Sequence, residues 1–422
     1  MPVDDPDAGI VSAVRESFFS TPPARLGIAV SGGGDSVALA HILTRAFAPG
    51  EVELFSATVD HRLRPGSAEE AGAVARQMGE MGLSHDILPW REGWDGTGNL
   101  QQSARHARFR LLRDWAQMRG LSTVAMAHTA DDQAETVLMR LARASGVTGL
   151  SAMPQRRVRG GLCLVRPLLG IGRAELRGYL RRHGLAWIED PSNDDMRFER
   201  VKVRRAMGVL SEIGVTPRAL SAVARNMAQA REALDWYTFL AAREHVSIDA
   251  GDVILAARGF RTLPDEIARR LLVRALLWIG GGTHPPRRAA VTALIDTMRR
   301  GGAGTLAGCR VLPGRGSLRI CREYNAVRRH HRPPGALWDR RWHVMGPIDA
   351  GPDCELRPLG RRGLMACDTW RETGRPHAAL MASPSVWRGD ELVAAPLAGW
   401  PQGWRAEVEG GAEGFFASIL SH

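Results

Sequence analysis

Six residues near the start of the chain decide its fold: Ser31-Gly32-Gly33-Gly34-Asp35-Ser36. An apolar run at residues 26–30 precedes them, and residues 37–47 have the composition of a helix. A strand, a glycine-rich turn and a helix start form a cradle for an anion, because backbone N–H groups approach the anion closely and the helix N-terminus adds positive potential. We therefore expect these residues to bind phosphate groups, with the Ser31 and Ser36 hydroxyls as further donors.

Asp35 indicates which kind of phosphate-containing ligand this cradle binds. A carboxylate beside phosphates is repelled unless a cation lies between them, which indicates a nucleotide bound with Mg²⁺. The stretch is not a Walker P-loop, because no lysine follows the glycines, and it is not the GxGxxG dinucleotide fingerprint. Ser- and Gly-rich turns after strands often serve only to turn the chain, so that alternative stays open at this point.

The composition is that of a globular protein. The chain has 422 residues, of which 44% are hydrophobic and 24% charged, which is enough for two or three domains. No apolar run reaches about 18 residues, the length that spans a membrane, and the first ten residues lack a signal-peptide pattern. We expect a cytoplasmic protein with no membrane span.

The charge balance suggests the class of partner. The formal net charge is +11, and the positive charge is almost all arginine, since Lys202 is the only lysine. A basic chain of this size favours a polyanionic partner such as nucleic acid. Net charge does not show where on the surface a basic patch lies. We therefore use it only to support conclusions that are drawn from individual motifs.

Apolar and helix-like runs alternate over the first half of the chain. Residues 26–30, 52–59, 86–90 and 123–127 are predicted strands, and residues 37–47, 67–81 and 100–119 are predicted helices. Strand–helix alternation implies right-handed crossovers and a parallel sheet, that is, a Rossmann-like α/β domain. A further strand at 162–169 and a helix at 173–183 extend the pattern.

The rest of the chain has a different pattern. Apolar residues at helical spacing predict a long helix from Pro217, followed by helices near 264–277 and 286–299 and a hairpin of residues 305–311 with 317–321. After about residue 325 the tail is rich in Arg and Trp. These tryptophans either stack on RNA bases or form the core of a small β-rich domain. We expect domains at 1–215, 216–325 and 326–422, the second helical and the third α+β or β-rich.

Polar side chains follow the predicted parallel strands where each strand ends. His61 follows the second strand, and the fourth ends in a segment that contains His128, Asp131, Asp132 and Glu135. Because the carboxyl ends of parallel strands share one sheet edge, these groups should converge on the cradle. The last four are three and four residues apart and would share one helix face, where three carboxylates repel unless solvated or bound to a cation. They suit Mg²⁺, a substrate ammonium or base catalysis; an acidic first turn that only serves the helix dipole is the weaker alternative.

Two groups of basic residues are further candidates. Arg105 and Arg108 lie three apart on a predicted helix and would direct a guanidinium pair towards phosphates, although a solvated basic face fits the spacing equally well. A second basic run contains Arg200, Lys202, Arg204 and Arg205. It is either an ordinary surface or a contact for RNA phosphates.

With these residues in place, the sequence resembles the tRNA(Ile)-lysidine synthetase family of the PP-loop ATP-pyrophosphatase group. The motif SGGxDS marks only the wider group, whereas the segment His128–Thr136 with two later motifs is far more specific. In chain order, the motifs that carry the resemblance are Ser31 to Ser36, Val59-Asp60-His61 with Leu63-Arg64, Ala104-Arg105 with Arg108, Ala127 to Thr136, Gly146 with Gly149-Leu150 and Met153, Arg166-Pro167-Leu168-Leu169, and Asp190-Pro191-Ser192-Asn193. Arg62 departs from the family, which usually has glycine there, and we expect an altered turn.

The resemblance implies a PP-loop ATPase domain and a specific reaction. ATP adenylates the C2 oxygen of the wobble cytidine in a CAU-anticodon tRNA(Ile) and releases pyrophosphate. The ε-amino group of free L-lysine then displaces AMP, and the tRNA reads AUA in place of AUG. The later domains would recognise tRNA, and a homodimer is left open.

The resemblance also implies residue roles. Ser31, Gly32, Gly33, Gly34, Asp35 and Ser36 would bind ATP together with His61 and His128. Asp35 and Asp131 would hold Mg²⁺, and Asp132 and Glu135 would orient or deprotonate the lysine ammonium. Arg105 or Arg108 would stabilise phosphate charge. Arg200, Lys202, Arg204 and Arg205 would contact tRNA.

Two alternatives belong to other classes of function. A thiolase of the same PP-loop group would use paired cysteines, but the five cysteines form no CxxC pair and we expect reduced, structural thiols: Cys163, Cys309, Cys321, Cys354 and Cys367. A non-enzymatic RNA-binding protein would not need clustered acids beside a phosphate cradle. Both alternatives are therefore weaker than lysine ligation.

Overall fold

The computed structural model describes residues 5–18, 21–63, 65–189, 199–347 and 353–421. The chain forms two compact units, residues 1–231 and 232–421. In the described part of the chain, no helix is both long and apolar enough to cross a membrane.

A six-stranded sheet in the order β3-β2-β1-β4-β6-β5 organises the first unit. Its strands are β1 (Arg25–Ala29), β2 (Glu53–Asp60), β3 (Ser84–Pro89), β4 (Thr123–Met126), β5 (Arg156–Arg159) and β6 (Leu162–Val165). Five strands are parallel, which confirms the predicted parallel sheet, and β5 runs antiparallel to β6 at the edge. The predicted strand at 162–169 was too long, because it ends at Val165, just before Arg166-Pro167.

Helices pack around this sheet. They are α1 (Ala8–Glu16), α2 (Gly34–Ala46), α3 (Ser67–Glu80), α4 (Leu100–Met118), α5 (Ala130–Leu141), α6 (Val147–Leu150), α7 (Arg173–Arg182) and α8 (Glu199–Glu212), followed by α9 (Pro217–His245), which contains the boundary between the units. One apolar core lies around α2 and another around Trp115 of α4. Gly27 of β1 is needed here, because a Cβ atom would lie 2.8 Å from the Trp115 ring. The central strand and α4 therefore approach more closely than any side chain on residue 27 would allow.

The described residues of the second unit form three antiparallel sheets. The largest has the order β7-β8-β11-β10-β9, and the others pair β12 with β16 and order β13-β14-β15. The strands are β7 (Val246–Asp249), β8 (Asp252–Ala256), β9 (Gly304–Leu306), β10 (Cys309–Pro313), β11 (Ser317–Arg322), β12 (Trp342–Met345), β13 (Cys354–Pro358), β14 (Pro384–Arg388), β15 (Glu391–Ala394) and β16 (Arg405–Val408). The helices are α10 (Ala257–Thr262), α11 (Asp265–Gly280), α12 (Arg288–Arg299), α13 (Tyr324–Val327), α14 (Gly360–Met365), α15 (His377–Met381) and α16 (Gly411–Leu420).

Several predictions for this second region are confirmed. The long helix from Pro217 is present, and β10 pairs with β11 as the predicted hairpin. The hairpin's first strand is divided, because Ala307 and Gly308 have positive φ angles that turn the chain between β9 and β10. Strands β7 and β8 were missed. The domain limits at 215 and 325 stay a prediction.

The tail contains six tryptophans: Trp338, Trp342, Trp370, Trp387, Trp400 and Trp404. The structure decides between the two interpretations for four of them. Trp338, Trp342, Trp387 and Trp404 are buried, three of them in one core cluster of the second unit. Trp400 is exposed. The interpretation that these tryptophans form a protein core is therefore correct for most of them. The cysteines are free thiols, and all but Cys163 are buried.

Candidate active site

The predicted cradle joins β1 to α2, as expected. Gly33 is the extended residue before the helix, and α2 begins at Gly34. Gly32 has a φ of +82°, and a Cβ atom on it would lie 2.7 Å from Val74. A Cβ atom on Gly34 would collide with the guanidinium of Arg177. Gly32 is thus required by its left-handed conformation and by its close approach to Val74.

The two serines of the cradle have different environments. The Ser36 hydroxyl donates to the Gly33 carbonyl at 2.7 Å and accepts from the Ser31 N–H at 3.1 Å. It is buried and organises the turn. Ser31 is exposed, so its hydroxyl is the one that a bound anion reaches directly.

The segment after β4 begins with a helix cap. Thr129 caps α5, accepting from the Asp132 N–H, while Asp132 Oδ2 accepts from the Thr129 N–H at 2.9 Å. His128 therefore precedes the helix and does not share its face. Asp131 Oδ2 accepts from the Arg173 backbone N–H at 2.8 Å. The predicted stripe of four is wrong in detail, because only Asp132 and Glu135 direct their carboxylates to one point.

That point is the side chain of Arg173, the first residue of α7. Its Nη2 atom lies 2.5 Å from Asp132 Oδ1, its Nη1 atom 3.0 Å from Glu135 Oε1, and its Nε atom 3.3 Å from Asp35 Oδ2. One guanidinium thus connects the cradle aspartate with two carboxylates of α5. We call Asp35, Asp132 and Glu135 the acidic cluster.

A second guanidinium reaches the acidic cluster from α8. Arg204 Nε lies 2.6 Å from Glu135 Oε1, and α8 packs against α5. The predicted tRNA contacts therefore divide into Arg204, which binds a carboxylate of the site, and Arg200, Lys202 and Arg205, which are exposed. Their contact with tRNA stays a prediction.

Burial and charge act against each other in the acidic cluster. Burial raises the pKa of Asp35, and the nearby Arg173 only partly offsets it. For Asp132, burial also raises the pKa, but Arg173 and the Thr129 N–H together hold it below its usual value. Two buried acceptors have no hydrogen-bond partner among the described residues, Asp35 Oδ1 and Glu135 Oε2. Such atoms are costly unless a ligand binds them.

Among the described residues, a group of arginines whose charges act on His128 and on one another has no acidic partner. We call Arg105, Arg108, Arg157 and Arg166 the basic cluster. Burial lowers the pKa of Arg108, with Arg105 adding repulsion, and burial with Arg157 and Arg105 lowers that of Arg166 to about 10. In the described parts of the chain, none of the four forms an ion pair with a carboxylate. Uncompensated guanidinium groups suit a polyanionic ligand.

Two neutral histidines complete the site. Burial lowers the pKa of His128 to about 3, against the attraction of Asp132, and burial also lowers that of His61. The charge of Arg108 acts on both rings. Each ring has a buried Nδ1 atom without a partner among the described residues. Near neutral pH both rings are uncharged and have a nitrogen available for a ligand.

Sequence reasoning missed Arg173 and Arg177. Both lie on α7, whose many arginines look like a solvated surface. A signal was available for Arg173, because a cation in the first turn of a helix opposes the helix dipole and requires a compensating anion. Arg177 stacks on Trp187 and lies against Gly34, with its buried Nη1 atom unpartnered among the described residues.

The structure describes the motif position Arg62, whereas other motif residues lie outside its described part. Arg62 has a φ of +54°, the left-handed region that glycine favours, and its N–H donates to Asp60 Oδ1 at 2.9 Å. The arginine thus adopts a backbone conformation that glycine favours, and an altered turn stays a prediction. Arg64 and the Asp190–Asn193 motif lie outside the described residues.

Comparisons with known proteins agree with this geometry. The PP-loop domain family matches residues 8–210. A tRNA(Ile)-lysidine synthase from Ruegeria pomeroyi is 58% identical over 413 residues, which cover 98% of each chain. One from Methylobacterium nodulans is 42% identical, covering 62% of this chain and 77% of the relative, and one from Wolbachia pipientis is 35% identical, covering 72% of each. With a PP-loop cradle, an adjoining acidic cluster and a relative of this similarity along nearly its whole length, the chain belongs to the tRNA(Ile)-lysidine synthase family.

Proposed function

We propose that this protein ligates free L-lysine to C2 of the wobble cytidine in a CAU-anticodon tRNA(Ile), with conversion of ATP to AMP and pyrophosphate. One observation carries the proposal: the phosphate cradle and the carboxylates suited to an amine are joined by a single side chain, Arg173. The site would thus bind ATP beside the ammonium group of an amine substrate, which becomes the nucleophile once it loses a proton. A cytoplasmic location follows for an enzyme that acts on tRNA.

The cradle and the basic cluster serve the ATP. Backbone N–H groups at the start of α2 and the exposed Ser31 hydroxyl would bind phosphate oxygens. Arg105 and Arg108, with neutral His61 and His128, would contact the polyphosphate from the other side. These donors are in place before the reaction, so they stabilise developing charge without reorganisation.

The residues also fit a magnesium ion. Mg²⁺ is usually held by one or two carboxylates together with substrate phosphates. Asp35 Oδ1 is buried beside the cradle and unpartnered among the described residues. Asp35 is better placed than Asp131, whose Oδ2 atom already accepts from Arg173 N–H. The ion would neutralise phosphate charge.

The first chemical step forms a bond between the cytidine C2 oxygen and the α-phosphorus of ATP and breaks the bond to pyrophosphate. Arg105 or Arg108 stabilises the charge on the phosphates. The base must leave its stack to reach this cleft, which is how proteins read single-stranded loops of RNA. The activated C2 carbon then has AMP as its leaving group.

The second step uses the acidic cluster. Asp132 and Glu135 bind the ε-ammonium of lysine, and a proton passes from it to a carboxylate oxygen, because only the neutral amine is a nucleophile. The amine nitrogen then bonds to C2, and the C2–oxygen bond to AMP breaks. The unpartnered Glu135 Oε2 is an acceptor available for that proton.

The tRNA body would be bound away from the chemistry. Exposed Arg200, Lys202 and Arg205 on α8 would contact phosphates, and residues 216–325 and 326–422 would recognise the remainder of the molecule. The net charge of +11 favours such a polyanionic partner.

The test is transfer of labelled lysine to a CAU-anticodon tRNA(Ile) transcript in the presence of Mg²⁺ and ATP. The control transcript has uridine at the wobble position. Label on the first transcript alone establishes the reaction, the base and the amino acid together. Cleavage of ATP with no label on either transcript would contradict lysine ligation and direct attention to sulfur or ammonia as nucleophile.

A further inference from the structure

We propose that Arg173 occupies the cation subsite of the acidic cluster in the free protein and that the substrate ammonium must displace it. Arg173 is thus a positioning residue and an internal competitor that sets the affinity for lysine. This inference rests on the proposed function, because it concerns the subsite where the amine binds. It adds an event that must precede amine binding.

The contacts of Arg173 are those expected for a bound cation. Its three guanidinium nitrogens each reach a different carboxylate, at 2.5, 3.0 and 3.3 Å. Among the described residues of α7, no second arginine forms an ion pair with these carboxylates, so the interaction draws the cradle and α5 together through one group. A primary ammonium also has three donors, and it would meet the same oxygens.

The cluster still has acceptors to spare when Arg173 is present. Three carboxylates face two guanidinium groups, those of Arg173 and Arg204. Asp35 Oδ1 and Glu135 Oε2 remain buried without a partner among the described residues, and Glu135 is only 2% exposed. An arrangement built only for stability would pair these atoms. Because these two oxygens are buried without a partner, we infer that a second cation binds them during function.

Arg173 is able to leave without unfolding its helix. Its side chain is 24% exposed, whereas that of Glu135 is 3% exposed. Its backbone N–H is held separately by Asp131 Oδ2. Rotation of the long side chain therefore releases the carboxylates while the start of α7 stays anchored to α5.

The chemistry of the guanidinium explains why it must leave. Guanidinium does not lose its proton in proteins, so Arg173 is neither a base nor a nucleophile. While it holds Asp132 Oδ1 and Glu135 Oε1, it blocks the two oxygens that would bind the amine, and only Glu135 Oε2 stays open for a proton.

The experiment compares Arg173→Gln and Arg173→Lys with Arg181→Gln, which changes an exposed arginine on the same helix. One readout is Mn²⁺ binding to the full-length protein alone, followed by the electron paramagnetic resonance signal of free Mn²⁺. The other is the KM for lysine and the kcat with the CAU transcript. Thermal unfolding reports whether each variant is folded.

We expect Arg173→Gln to bind Mn²⁺ about tenfold more tightly and to have a lysine KM about tenfold lower, the size of one lost competing contact. Its kcat falls, because the carboxylates lose their alignment. Arg181→Gln behaves like the wild type. An unchanged Mn²⁺ affinity or a raised lysine KM in Arg173→Gln would overturn the proposal, since a purely structural arginine would weaken lysine binding when removed.

Arg173→Lys covers the case in which the glutamine variant does not fold. Its shorter side chain cannot reach all three carboxylates, so its lysine KM should still be below that of the wild type. A KM at or above the wild-type value would overturn the proposal. If the wild type transfers no lysine at all, the proposed function fails, and the Mn²⁺ readout still decides whether Arg173 occupies a cation subsite.

Discussion

Two of the half-buried ion clusters among the described residues differ in how completely their polar atoms are hydrogen-bonded. In the second unit, Arg319 lies 2.8 Å from both Asp252 and Asp249, and Arg375 lies 2.8 Å from Asp249. No buried side-chain nitrogen or oxygen of these four residues lacks a partner in the described structure. In the first unit, the acidic cluster holds Asp35 Oδ1 and Glu135 Oε2 buried and unpartnered.

This difference separates a structural cluster from a functional one. Removing charges from water costs folding free energy in both clusters. In a fully paired cluster the ion pairs offset part of that cost and hold the side chains in place. Buried acceptors without a hydrogen-bond partner do not stabilise the folded state, so we expect to find them where a ligand binds. Mutations in the two clusters should therefore affect different properties, stability in the second unit and catalysis in the first.

The largest effect is expected from Asp35→Asn. Because Asp35 would hold the magnesium ion that neutralises the phosphates, formation of AMP and pyrophosphate should fall by about three orders of magnitude. Affinity for tRNA should stay nearly unchanged. Thermal stability should be equal or higher near neutral pH, because burial raises the pKa of Asp35 and ionisation costs the folded state.

Pyrophosphate release and tRNA filter binding measure these two properties of Asp35→Asn. Loss of tRNA binding with normal pyrophosphate release would contradict the assignment. A large loss of stability would show that the acidic cluster is structural, like its counterpart in the second unit.

The next effect is expected from Arg319→Met. The variant removes the guanidinium that lies 2.8 Å from Asp252, and breaking such a buried pair costs about 3–5 kcal/mol of unfolding free energy. Catalysis per folded molecule should be unchanged. Urea denaturation measures the first quantity, with Arg315→Met on the same hairpin as an exposed control. A stable variant with impaired kinetics would remove the distinction between the clusters.

Glu135→Gln should have a smaller and more selective effect. It retains size but removes a negative charge that would bind the lysine ammonium, so the KM for lysine should rise about tenfold or more. Adenylation of the tRNA, measured as pyrophosphate release without lysine, should fall much less. Equal loss of both steps would defeat the assignment of Glu135 to the amine.

The smallest effect concerns the pH dependence of His128. Its pKa is lowered to about 3 in the folded state, well below the unfolded value near 6.5. Its contribution to stability is therefore full above about pH 6.5 and declines as the pH falls towards 3. His128→Gln should lose less thermal stability between pH 6.5 and 4 than the wild type, whereas His284→Gln, at an exposed position, should match the wild type. Identical profiles for all three proteins would show that His128 is not held neutral by burial.

Much of the first unit could be predicted from local sequence. Apolar runs bounded by turns gave the parallel strands, and the glycine-rich stretch gave the strand–cradle–helix junction, because these depend on residues adjacent in the chain. The edge strand β5 was not found, since Arg156–Arg159 contains three arginines and a single apolar residue. Pairing with β6 makes it a strand.

The candidate site also has one part that the local sequence predicts and one part that only the fold determines. Sequence by itself determined which chemical groups the protein has near its cradle: Asp35, Asp132, Glu135, His128 and the arginines of α4. Tertiary structure alone decided that Arg173, 38 residues after Glu135, closes the acidic cluster. A hydrogen bond depends on distances in space, and these residues, far apart in the chain, come within 3.3 Å of Arg173 only when α2, α5 and α7 pack together.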